Sequence, residues 1–210
     1  MTAESTDNGS RSSQVAGGDS TAGENGTHAG LVPGQPDMWA FVAFETLVFT
    51  AYFSVYLFCR AQNPQLYLRS QAELGLTTGV LNTVVLLTSS WSVARCVHAA
   101  RAGRYSTAMA GAAATIGLGL VFLALKVFEW VRQIQAGNTV ASTDFFSHYY
   151  FLTSIHCVHL LIGFVAMGVV MYQLYSPARR SQKIVETAAT YWHTVDVLWV
   201  LIFALLYIVR

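Results

Sequence analysis

Residues 146–175 read FSHYYFLTSIHCVHLLIGFVAMGVVMYQLY. The run contains no Asp, Glu, Lys, Arg or Pro. A helix needs about 20 mostly apolar residues to cross a ~30 Å hydrocarbon layer. This stretch exceeds that length, so it should tilt or protrude from the bilayer. It shows no period-two alternation, which argues for a spanning helix and against a barrel strand. Two histidines, His156 and His159, sit near its centre.

Four more apolar runs flank it, at about 38–59, 74–96, 105–131 and 188–209. Numbered in chain order, they make the quoted stretch span 4 of five. The composition agrees. Hydrophobic residues are 54% of the 210 and charged residues only 11%, with a net charge of +1. A soluble domain carries roughly 25% charged residues to cover its surface. No basic field is present to hold nucleic acid. Cys59, Cys96 and Cys157 each lie in or beside an apolar run and form neither a disulfide framework nor a CxxC site. The fold class is therefore an all-α, five-helix transmembrane bundle.

Residues 1–36 differ in kind. They are rich in Gly, Ser and Thr and nearly free of large apolar side chains. Such a segment cannot bury enough surface to offset its ordering entropy, so it reads as a disordered cytoplasmic tail. It has no apolar h-region of a signal peptide. The Asn25-Gly26-Thr27 sequon carries little weight on a cytoplasmic tail.

Basic residues set the orientation. Arg11, then Arg95, Arg101 and Arg104, then Arg179, Arg180 and Lys183 fall on one side. Arg60 and Arg69, Arg132, and Arg210 fall on the other. The first group is larger, which places the N-terminus inside and the C-terminus outside. Aromatic residues near span ends (Trp39, Tyr105, Trp130, Tyr149, Tyr175, Tyr191 and Tyr207) read as interfacial anchors. Gly111, Gly117 and Gly119 make part of span 3 thin enough for a close neighbour.

Ionisable groups inside a bilayer cost at least ~2.5–3.5 kcal/mol each, so they need a partner or a task. Glu45 lies about 10 Å into span 1. It either bonds across helices or contacts a proton or a lipid headgroup. Lys126 and Glu129 are three apart and share a helix face. They read as an interhelical structural pair near the outer end of span 3, where Lys126 can snorkel. His156 and His159 also share a face. Two imidazoles are too few for a closed metal site, so hydrogen bonds within the bundle, or to a lipid, fit better. His193 and Asp196 repeat that spacing in span 5. We expect Glu45, His156, His159, His193 and Asp196 to form one polar cluster joining spans 1, 4 and 5. Nothing here pairs a nucleophile with a base or forms a phosphate loop or zinc motif. We expect no catalytic site in this chain itself.

Five stretches carry a resemblance. They are Phe41-Val42-Ala43-Phe44-Glu45; Leu81-Asn82-Thr83 with Leu87-Thr88-Ser89-Ser90; Lys126-Val127-Phe128-Glu129-Trp130; His148 to Gly163; and TYWHTVDVLW from Thr190 to Trp199. In order, they resemble subunit III of the haem–copper oxidases, the cytochrome c oxidase family. The short first loop and Ser89-Ser90-Trp91 are most similar to the branch encoded beside nitric oxide reductases, the NorE type. The resemblance implies a non-catalytic subunit of aerobic respiratory electron transport. Haem and copper would reside in the partner, catalytic subunit I, with none in this chain. Family members hold phospholipid between their helices and support proton uptake. By position, Glu45 matches the family's buried glutamate, and the two histidine-bearing segments match its helix motifs. Arg179, Arg180 and Lys183 could meet lipid phosphates. Many members have seven spans, and this chain begins at what resembles their third. Ser154 and Cys157 stand where glycines are common. A bacterial cytoplasmic membrane is the expected location. A different reading is a stand-alone proton-coupled carrier or metal- or haem-bearing redox protein using the buried Glu, His and Asp groups. It would require broken helices at matched positions, or histidines well separated along two helices.

Overall fold

The computed structural model describes residues 36–209. The tail expectation for 1–35, its sequon and Arg11, the orientation residue Arg210 and the side chain of Arg179 lie outside the described residues.

Among the described residues, five helices are long and apolar enough to cross a membrane. They are α1 (Pro36–Gln62), α3 (Leu76–Arg101), α4 (Tyr105–Gln135), α5 (Asp144–Tyr175) and α6 (Gln182–Phe203). These match the five expected spans, most of them extended by polar turns at one or both ends, while α3 begins two residues later than expected, at Leu76. α6 begins well before the expected residue 188 because Gln182, Lys183 and Glu186 continue the helix toward water. Its far end widens into a π-helical turn, Ala204–Ile208.

One helix was not expected. α2 (Pro64–Ala72) fills the first connection, read from sequence as a loop. Pro64 occupies its first turn, where a missing N–H costs nothing and the fixed φ favours helix. Tyr67, Ser70 and Gln71 point inward. The Gln71 Nε2 donates to the carbonyls of Leu206 and Val209, both at 2.9 Å. The Arg60 Nη1 donates to the same Val209 carbonyl at 2.6 Å. The α1–α2 corner thus satisfies carbonyls freed at the C-terminal end of the last span, as a helix end requires.

Glycines set how closely the helices approach. A Cβ at Gly119 would sit 2.6 Å from the Phe164 ring, and one at Gly163 would sit 3.1 Å from Trp192. One at Gly79 would sit 2.8 Å from the Phe203 ring, and one at Gly111 3.1 Å from Cys96. Gly117, expected to share this role, faces open space. The tight α3–α4 turn relies on Gly103 at φ +71°, with the Arg104 N–H donating to the Ala99 carbonyl.

α6 is the most buried span and α1 the least. α6 meets α3 along one side through Ser89–Trp192 and Thr83–Trp199 hydrogen bonds. It meets α1 along another through Phe41–Tyr191 ring contact. Its third side packs on α5, where Gly163 admits Trp192.

Candidate functional site: buried polar clusters in the bundle

The expected single cluster is split. Glu45 and His159 form one network, His193 and Asp196 lie in a second, and His156 joins neither; the Lys126–Glu129 pair makes a third polar cluster of its own. The first joins α1, α5 and α6. The His159 Nε2 lies 3.1 Å from the Glu45 Oε2. The His159 Nδ1 lies 2.8 Å from the Ile155 carbonyl, which only accepts, so Nδ1 carries a proton. The contact to Glu45 therefore needs a second proton, either on the imidazole as an ion pair or on the carboxyl. Tyr191 of α6 donates to the His159 carbonyl at 3.0 Å, and Phe49 meets the imidazole edge-on. Of the two readings open for Glu45, the structure displays the bond across helices.

The second cluster lines the α3–α6 seam. The His193 Nδ1 and Ser90 Oγ are 2.6 Å apart. Asp196 is buried against Ser90 but meets hydrogen-bond geometry with nothing among the described residues. The Trp192 Nε1 donates to Ser89 Oγ at 3.0 Å, and the Trp199 Nε1 to Thr83 Oγ1 at 3.1 Å. The serine-rich stretch of span 2 and the TYWHTVDVLW stretch of span 5 are thus the two halves of one interface. Ser90, His193 and Asp196 do not form a hydrolytic triad. The serine bonds Nδ1, and the carboxylate does not bond the imidazole.

The third cluster surrounds Lys126. This ammonium is fully buried and does not snorkel, contrary to expectation. The reason is local. Its Nζ donates to Glu129 Oε2 at 3.1 Å, to the Tyr207 hydroxyl at 3.0 Å and to the Tyr149 hydroxyl at 3.3 Å. It also lies 5.0 Å from the centre of the Trp199 ring. Tyr207 in turn donates to Glu129 Oε1. The ion pair is within one helix, not between helices. Its tyrosine partners provide the interhelical link, tying α4 to α5 and to the C-terminal π turn.

His156 joins none of these networks. It is fully buried between the rings of Phe122 and Trp199, and neither nitrogen has a hydrogen-bond partner among the described residues. The shared face of His156 and His159 therefore does not give a shared environment. Among the described residues, no three His, Cys, Asp or Glu side chains converge on one point.

Tyr149, Tyr191 and Tyr207, read as interfacial anchors, are instead buried hydrogen-bonding partners. Sequence reasoning missed Ser90, Tyr149 and Tyr207 as partners of charged groups. Ser90 and Tyr149 lie in stretches already singled out, which was the signal available for them, whereas Tyr207 lies outside every such stretch. Of the basic loop residues, Arg180 stacks over Tyr105 at 3.6 Å and lines a pocket of about 330 Å³ with Arg101, Gln173 and Ser181. Arg101 also pairs with Glu186 at 2.9 Å. Lys183 is exposed and does not line that pocket.

The family model for cytochrome c oxidase subunit III matches residues 16–210. The chain belongs to the cytochrome c oxidase subunit III family. This subunit III chain is 30% identical over 183 residues to cytochrome c oxidase subunit 3 of Synechocystis, covering 83% of this chain and 77% of the relative. It is 28% identical over 174 residues to a probable cytochrome c oxidase subunit 3 of Nocardia farcinica, covering 81% and 85%. It is also 28% identical over 180 residues to a protein of Aeropyrum pernix named heme-copper oxidase subunit I+III. There it covers 82% of this chain but spans only 22% of the relative's length. Family membership makes the chain a multi-pass membrane subunit of the haem–copper oxidase type. The charged and histidine side chains of all three polar clusters lie in the stretches that carried the resemblance, whereas Tyr207 lies outside them.

Proposed function

We propose that this subunit III chain packs, as a non-catalytic subunit, against a haem- and copper-bearing subunit I in a bacterial cytoplasmic membrane. Its N-terminus lies inside and its C-terminus outside. The observation that carries this reading is that several of the titratable groups inside the bundle find their partners within the chain, His156 and Asp196 being without one among the described residues. Glu45 meets His159, Lys126 meets Glu129, and His193 meets Ser90, all within the chain. The Glu45–His159 bond joins helices directly and the Lys126–Glu129 pair does so through Tyr149 and Tyr207, so these four titratable groups are not free to ligate a metal or relay a carried ion. The Aeropyrum relative, named subunit I+III, supports subunit I as the partner. The short α1–α2 connection and Ser89-Ser90-Trp91 favour the NorE-type branch. The Arg101 and Arg180 pocket fits an anionic phospholipid headgroup at the inner surface.

The test is gentle solubilisation of the native complex through a tag on this chain, with a visible spectrum and mass spectrometry. Haem absorbance should travel with a larger polypeptide, and the isolated chain should be colourless. Haem or stoichiometric metal in the isolated chain would favour the stand-alone redox reading instead.

A further inference from the structure

α6 is held by α3 on one flank and α1 on the other, and a stripe of it between them is left open. Helical periodicity places His193, Val197, Val200 and Leu201 on that stripe. Trp192, Trp199 and Phe203 turn toward α3. Tyr191 turns toward α1 and α5. Val197 is 58% exposed and Leu201 48%. An apolar stripe alone would be covered well enough by lipid. His193 changes that. It lies about 16 Å along α6 from Gln182, near the middle of the span. Its Nδ1 is occupied by Ser90, and Nε2 points away from that bond with no hydrogen bond of its own among the described residues. Behind it, Asp196 has two carboxyl oxygens without hydrogen bonds. An imidazole nitrogen facing hydrocarbon loses the hydrogen bond that it would have in water, and lipid tails cannot replace it.

We infer that the groove floored by α6 and walled by α1 and α3 is where a transmembrane helix of the catalytic subunit docks, with a hydrogen-bonding side chain of that helix meeting the His193 Nε2. The apolar stripe supplies packing area, and the histidine fixes depth and register. Interhelical hydrogen bonds serve this role in bilayers, where apolar contact with a helix is worth little more than contact with lipid. The inference rests on the functional reading above and adds the face and the residue through which the partner is held.

The test uses the full complex in its own membrane. A photo-reactive amino acid is placed at Val197 or Leu201 in the groove, and at Val165 on the exposed face of α5 as the control. The expected result is an adduct between Val197 or Leu201 and the haem-bearing polypeptide, with none from Val165. In parallel, Val197→Trp fills the groove without touching the chain's own core. It should reduce retention of this chain on the tagged catalytic subunit by about tenfold, while its level in the membrane stays unchanged. His193→Ala should do the same, and His193→Gln should restore part of the retention. Adducts from Val197 and Leu201 with lipid only, equal adducts from Val165, or full retention of Val197→Trp would each overturn the inference. If the wild-type chain co-purifies with no haem-bearing polypeptide, the functional reading fails. If it co-purifies but the groove yields no adduct, only the docking face fails.

Discussion

At position 126 a lysine ammonium sits with no exposed surface, which is tolerable only because three oxygen acceptors surround it. Lys126→Met would leave Glu129 as an uncompensated buried carboxylate with only the Tyr207 donor. We expect a loss of about 3–5 kcal/mol. Lys126→Met combined with Glu129→Gln should be clearly less damaging than the single change, because the stranded charge is gone. Thermal unfolding of the purified protein in detergent measures both. Equal losses would show that Glu129 does not depend on Lys126. The Glu45–His159 contact is a bond between two helices that have little else polar in common. A double-mutant cycle with Glu45→Gln and His159→Ala should give a coupling of about 0.5–2 kcal/mol. Strict additivity would mean that the contact contributes nothing. The shared helix face correctly placed His156 and His159 side by side. It did not reveal that one meets a carboxylate and the other two aromatic rings. The i, i+3 relation states which side of a helix a residue occupies and says nothing about what faces it.

Among the elements, α4 shows how small residues divide into those that matter and those that do not. Gly117 and Gly119 are two residues apart and therefore on opposite sides of the helix. Only Gly119 meets a neighbour, the Phe164 ring with Trp192 behind it. Gly119→Val should push α5 away and cost about 1–3 kcal/mol. Gly117→Ala should be neutral or stabilise by up to about 1 kcal/mol through helix propensity. The same unfolding assay reads both, and similar destabilisation by the two would contradict this packing. The five spanning helices were legible in the sequence because each is a long apolar run with charges at its ends. α2 was not, because nine residues with two polar faces carry no such signal. Its helicity depends on Pro64 at its start and on the C-terminal carbonyls that Gln71 satisfies.

For the molecule as a whole, the polar ends differ. One end carries the Arg101 and Arg180 pocket near the α5–α6 connection. The opposite end carries a larger pocket of about 640 Å³ bordered by Glu73, Glu129, Arg132, Gln133 and Asn138. The basic end should face the cytoplasm. A C-terminal alkaline phosphatase fusion should be active and a C-terminal fluorescent protein dark, with the reverse result for fusions in the α3–α4 turn. The opposite pattern would invert the proposed topology and exchange the aqueous phases that the two pockets face.

Chain composition and run length by themselves determined that the described residues form a helical membrane bundle with five helices long enough to span, because a bilayer rewards continuous apolar length and little else. The local order of Glu45, the paired histidines and the final-span motif was enough to place it in a family. Only tertiary structure decided which buried charge meets which partner. Glu45 and His159 are brought together across more than a hundred residues of chain, as are Ser90 and His193. Such bonds depend on how far each helix is rotated about its axis. That rotation is set by close contacts such as those at Gly79, Gly119 and Gly163, which no single helix contains in its own sequence.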